Sequence, residues 1–152
     1  MRTRNIARVA ASAVVVSAFA VIAATTASAE PARTLQFVNH LNSLTPVDAA
    51  PPGPSVGDQF FIDSEVVSGD IAGRTSAACV VVKATAGGIR QCEVDFVTAH
   101  GIITTRGIQP GLAPTTPVQL VVTGGRGEFF GATGSGMLTP TPDGSVVRLR
   151  LR

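Results

Sequence analysis

The side chains in this sequence that could move protons or hold ligands are few and scattered. His40 and His100 have no Gly-x-Ser-x-Gly elbow and no accessible Cys nucleophile beside them, so each reads as a strand-end or turn histidine rather than a general base. Asp58, Asp63, Glu65 and Asp70 crowd one short stretch. Asp63 and Glu65 would share one face of a strand, and a solvated outer face accounts for them more simply than a paired acid and base. They lack the spacing of an EF-hand. The cluster Gly124-Gly125-Arg126-Gly127-Glu128-Phe129-Phe130-Gly131 lacks the Lys-Ser/Thr of a P-loop and is not a Gly-x-Gly-x-x-Gly opening a helix; its glycines read as turn or bulge positions. Two His and two Cys leave too little for a protein-only metal site, so no metal and no cofactor is expected.

Cys79 and Cys92 flank the turn Ala86-Gly87-Gly88, and two Cys in one hairpin can meet across the strands. A bridge would close a loop of about 14 residues, worth about 3 kcal/mol in the chain-entropy model. The alternative is a pair of buried thiols. Apolar chemistry is carried by Phe37, Phe60, Phe61, Phe96, Phe129 and Phe130, with no Trp or Tyr in the chain. Adjacent Phe residues in a strand point to opposite sides. Outward ones at Phe60-Phe61 and Phe129-Phe130 suit a subunit contact, and inward ones would line an interior for a hydrophobic ligand.

Residues 1–29 join Arg2, Arg4 and Arg8 to an Ala/Val-rich run and end in Ala27-Ser28-Ala29. That is the pattern of a secretory signal peptide cut before Glu30, with a retained single-span anchor as the rival. The expected organisation is 1–29 signal peptide, 30–56 first strand and Pro-rich loop, and 57–152 the rest of one domain, in a protein secreted to the extracellular space. The whole chain carries +2; of its 12 Lys and Arg, three lie in the leader, so residues 30–152 hold nine against ten Asp and Glu, a net of −1. No basic block remains to attract phosphates, so nucleic acid is not an expected partner. A membrane is not one either once the leader is removed.

All 16 Gly and all 10 Pro fall after residue 29, and the runs between them are rich in Val, Ile, Thr and Phe. Strands are expected near 34–40, 59–67, 74–83, 89–99, 101–108, 117–123, 129–139 and 145–152. In the last, Val147, Leu149 and Leu151 alternate with Arg148, Arg150 and Arg152, giving one packed face and one wet face. Eight short strands in meander order predict an all-β, eight-stranded antiparallel barrel, because closure removes exposed edges. Such a barrel is filled by side chains or holds one small ligand. Leu41–Val56, with Pro46, Pro51, Pro52, Gly53 and Pro54, is expected to be a loop that either covers a barrel mouth or is a solvated connection.

These residues resemble a known superfamily. Gly57-Asp58-Gln59-Phe60-Phe61, Gly69-Asp70, Ala78-Cys79-Val80, Gly107, and Val122-Thr123-Gly124-Gly125-Arg126-Gly127-Glu128-Phe129-Phe130-Gly131-Ala132-Thr133-Gly134 are similar to the frame of the allene oxide cyclase barrel. The final segment is also similar to that of dirigent proteins. The resemblance covers roughly 34–152 and implies a calycin-like eight-stranded barrel with a hydrophobic cavity, commonly a homotrimer. It places Asn39 and Pro46 at the Asn and Pro of the first strand, with Phe37 in the position of the family's Glu. Cys79 matches a cavity Cys. The family's pocket Tyr has no counterpart, and Ala132-Thr133-Gly134 stands where dirigent proteins have Ala-Arg-Gly.

The expected function is therefore binding of a small hydrophobic molecule by Phe37, Asn39 and Pro46. If there is catalysis, it is an isomerase reaction: intramolecular cyclisation guided by cavity shape, with Asn39 orienting an oxygen. The alternative is a non-catalytic secreted binding or interaction protein on the same barrel, which the missing Glu, Tyr and Arg favour.

Overall fold

The alternation of apolar and polar residues resolves into eight strands in a computed structural model that describes residues 32–85, 87–111 and 115–152. The expected leader, 1–29, lies outside the described residues. The strands are β1 (Arg33–Val47), β2 (Gln59–Gly69), β3 (Gly73–Lys83), β4 (Ile89–Thr98), β5 (Gly101–Pro110), β6 (Val118–Gly127), β7 (Gly134–Thr141) and β8 (Gly144–Leu151). Each pairs antiparallel with the next, and β8 pairs with β1 from Arg33↔Leu151 to His40↔Gly144, closing the barrel. Among the described residues there is no helix.

Parity decides what each strand buries. On β8, Val147, Leu149 and Leu151 are buried while Arg148 and Arg150 face outward. On β4 the inward row is Arg90, Cys92, Val94 and Phe96, all buried. Phe37 and Phe96 meet edge to face, with ring centroids 5.0 Å apart, at the heart of the core. Burying each such ring stabilises the fold by about 1.5–3 kcal/mol.

Two boundaries differ from the sequence expectation. The first strand does not stop at residue 40: β1 continues to Val47, and most of its extension pairs with β2, ending at Val47↔Gln59. Register shifts at Val38/Asn39 and Leu41/Ser43 bend it there. Beyond His40 the extension has no β8 partner, so it is an edge, and an edge tolerates Pro46 because the missing N–H faces no strand. The connection expected over Leu41–Val56 is thus shorter and begins after Val47.

The second difference is the glycine segment. Gly124–Gly127 belongs to β6 instead of forming a turn, and the strand expected over 129–139 begins only at Gly134. Between them a turn sends Phe129 into the barrel end, where it is buried, and leaves Phe130 87% exposed. A Cβ on Gly125 would collide with the Phe129 carbonyl, so this glycine is needed for the turn to pack against β6. Gly134, at φ +145°, begins β7 hard against the Arg150 carbonyl, where a side chain has no room.

Of the acidic cluster, Asp63, Glu65 and Asp70 face outward, while Asp58 is buried. Asp63 accepts a hydrogen bond from Arg74 at 2.8 Å and another from Asn42, which together hold its carboxyl below the usual carboxylate range. His40 is exposed, and His100 pairs with Glu128 at 3.0 Å on the surface.

Candidate functional site

The barrel is filled at one end and hollow at the other. Phe37, Phe96, Ile103, Val147 and Leu149 pack one half, with Phe129 in its end. Above them lies a layer of small polar side chains. Thr75 Oγ1 donates to Asn39 Oδ1 at 3.1 Å, and Thr105 Oγ1 donates to the Val94 carbonyl at 3.3 Å. Ser64 stands directly across from Thr75, and Ser145 across from Asn39.

Beyond that layer the interior opens into a cavity of about 300 Å³, at the small end of the range for small-molecule sites. Its waist is apolar, with Phe60, Ile62, Ala77, Val94, Leu120 and Leu138. Cys79 and Cys92 are joined as a disulfide, and the bridge forms part of the cavity wall. Ser64, Thr75 and Ser145 bring hydroxyls to the floor. Arg90 and Gln109, opposite each other on β4 and β5, are the polar groups toward the open end.

Arg90 is only 2% exposed. Its Nη2 donates to Gln109 Oε1 at 2.5 Å, and its guanidinium lies 4.9 Å from the centre of the Phe60 ring. Burial pulls its pKa below the ordinary value, yet a guanidinium keeps its proton at neutral pH.

The three residues expected to bind ligand sit at different depths. Phe37 is in the packed half, beneath the cavity. Asn39 is buried and reaches the cavity only through Thr75. Pro46 is exposed on the overhanging part of β1, beside a shallow outer groove that also touches Asp58 and Val81. Asn39 and Phe37 are thus one strand position pair apart, while Pro46 is remote from both. Sequence reasoning missed Arg90, Gln109, Ser64, Thr75 and Ser145. For Arg90 a signal existed, since it shares strand parity with Cys92, Val94 and Phe96 and is a lone cation in an apolar row.

No family model and no curated protein sequence matches the chain. Solved structures do. Pyocyanin demethylase aligns with 79% of this chain and 100% of its own, at a TM-score of 0.68 and 24% identity. The barrel is what they share. The Diels-Alderase AbmU from Streptomyces koyangensis aligns at a TM-score of 0.58 and 22% identity, over 80% of this chain and 63% of AbmU, so this chain spans less than two thirds of that protein. AbnU, an exo-specific intermolecular Diels-Alderase, aligns at 0.56 and 16% identity over 80% and 98%. At these identities the likeness establishes an eight-stranded barrel of the same architecture.

Proposed function

We propose that this protein is an exported barrel, similar to allene oxide cyclases and dirigent proteins, that binds a small hydrophobic molecule in its open half. One observation carries the reading: the interior is packed for half its length and hollow for the rest, with an apolar waist and a few convergent polar groups. That combination is how small-molecule sites are built. Export is supported by the pattern of residues 1–29 and by the disulfide, which persists in oxidising compartments. A cavity of this shape would hold a flexible reactive chain in a folded, near-attack arrangement and so favour isomerisation or ring closure. The barrels of the two Diels-Alderases lend support to cyclisation as the reaction class.

A second reading has its own observation. The described residues lining the cavity include no carboxylate and no imidazole, so a general acid or base would have to be a hydroxyl or Arg90. This favours a binding protein without turnover on the same barrel.

The test is titration of residues 30–152, oxidised, with an apolar fluorescent probe, followed by native mass spectrometry for a co-purified ligand. A saturable, one-to-one fluorescence increase is expected. A protein that excludes every probe and carries no ligand would overturn the reading.

A further inference from the structure

Resting on that reading, we propose that the molecule the cavity takes is an amphipathic acid, whose carboxylate or equivalent planar oxyanion is bound by Arg90 while its apolar part fills the waist.

Arg90 occupies the inward row of β4 at the hollow end of the barrel, 2% exposed. Placing a full charge out of water is costly unless an opposite charge or a full set of acceptors meets it. Among the described residues no carboxylate forms an ion pair with Arg90; the three pairs present join Arg74 to Asp63, Arg106 to Glu93 and His100 to Glu128, all outside the barrel. Its one side-chain acceptor is the neutral Gln109 Oε1. The Nε–H is buried and has no partner at all.

Those features are complementary to one kind of ligand. A guanidinium offers its donors in a planar fork that matches the two oxygens of a carboxylate, and such charge-assisted pairs are stronger than neutral hydrogen bonds. Phe60 under the guanidinium and Gln109 at one Nη fix the plane of the fork, so little freedom would be lost on binding. The rest of the wall selects against a second charge: below Arg90 the inward positions of β4 are Cys92 and Val94, and the floor offers only neutral hydroxyls. A neutral hydrophobe would leave the buried cation unmatched, and a cationic one would be repelled by it.

The experiment is a displacement series against the apolar probe with three matched ligands, decanoate, decanol and decylamine, on oxidised residues 30–152 at pH 7. Decanoate is expected to bind about 10–100-fold more tightly than decanol, the range of a hydrogen bond to a charged group, and decylamine weakest of the three. In Arg90→Met, decanoate should lose about that factor while decanol stays within about threefold; Arg90→Lys should recover only part, since an ammonium lacks the fork. Equal wild-type affinities for decanoate and decanol overturn the proposal and leave the hydrophobic-cavity reading standing. So does an Arg90→Met variant that weakens both ligands alike, because Arg90 would then act as wall for Phe60. Failure of all three to displace the probe would overturn both. The wild-type contrast between decanoate and decanol decides the matter even where Arg90→Met does not fold.

Discussion

At the scale of the residue, Asn39 and Thr75 form one unit. Asn39 is buried, and its carboxamide oxygen accepts the Thr75 hydroxyl at 3.1 Å, so Thr75 is presented to the cavity in a fixed orientation. Asn39→Ala leaves that hydroxyl without its acceptor and should lower stability by about 1–3 kcal/mol in denaturant unfolding. Ligands that use the floor hydroxyls should weaken in parallel. Because the two residues share one bond, Thr75→Val combined with Asn39→Ala should cost clearly less than the sum of the two single changes. Strict additivity, or wild-type affinity in Asn39→Ala, would remove Asn39 from the site. The motif that drew attention to Asn39 was legible in the sequence, but its depth was not. Strand parity says which residues point inward, as for Arg90, Cys92, Val94 and Phe96; it does not say at which level the interior stops being filled. Phe37 and Arg90 are both inward by parity, yet one is packed core and the other faces a hollow. That difference depends on how side chains from eight strands meet, which no single segment encodes.

At the scale of the element, strands with Val and Ile runs between Gly, Pro or Asp turns were readable, and the two misplaced boundaries share a cause. Pro46 and Gly124–Gly127 carry turn-like chemistry, but Pro46 lies where β1 has no β8 partner and Gly125 and Gly127 allow close approach of backbone, so both segments remain in strands. Asp58 organises the connection that follows β1. Its carboxylate accepts from the Ser55 N–H and Oγ, each at 2.8 Å, and from the Ala49 N–H at 3.0 Å, tying down both arms of the Pro-rich connection. The Ser55 backbone bond foremost, then its hydroxyl and the Ala49 bond, hold the Asp58 carboxyl below its ordinary 3.8. A carboxyl whose folded-state pKa is depressed contributes stability above its unfolded value, lost as pH falls through the folded one. The thermal stability of the wild type should therefore exceed that of Asp58→Asn by a constant margin at pH 5–7, with the margin shrinking below about pH 4. A margin that grows on acidification would contradict the assignment. The disulfide belongs to the same scale. Cys79 and Cys92 are 13 residues apart on paired strands, and reduction should lower unfolding free energy by about 3 kcal/mol. A shift in guanidinium midpoint between oxidised and reduced protein measures it, and probe affinity should fall with it because the bridge is cavity wall.

At the scale of the whole molecule, closure leaves only the extension of β1 beyond His40 without a β8 partner, so self-association would draw chiefly on the outer faces of the strands. Two such faces carry exposed apolar side chains among charged ones. On one side Phe61 of β2, 45% exposed, stands across from Ala78 of β3, with Val82 further along the same strand. On another, Gln119 of β6 lies across from Met137 of β7, and Ile108 and Val121, 55% and 59% exposed, flank it on β5 and β6. The trimer implied by the resemblance is a ring with cyclic symmetry, and a ring joins two different patches of each copy instead of one patch to itself. In such a trimer these two faces would be the pair that meets. Light scattering on residues 30–152 should give the mass of three chains, and Phe61→Arg and Val121→Arg should each reduce it to one. Both sites are on the surface, so unfolding free energy should change by no more than about 0.5 kcal/mol. The decisive measurement is the mixture. A Val121→Arg copy keeps its Phe61 face and a Phe61→Arg copy keeps its Val121 face, so together they retain one sound interface and should form a one-to-one dimer that cannot close. If each face instead met its own twin, every Val121→Arg copy would still pair through Phe61 with another of its kind, each variant alone would stop at a dimer, and mixing would add nothing.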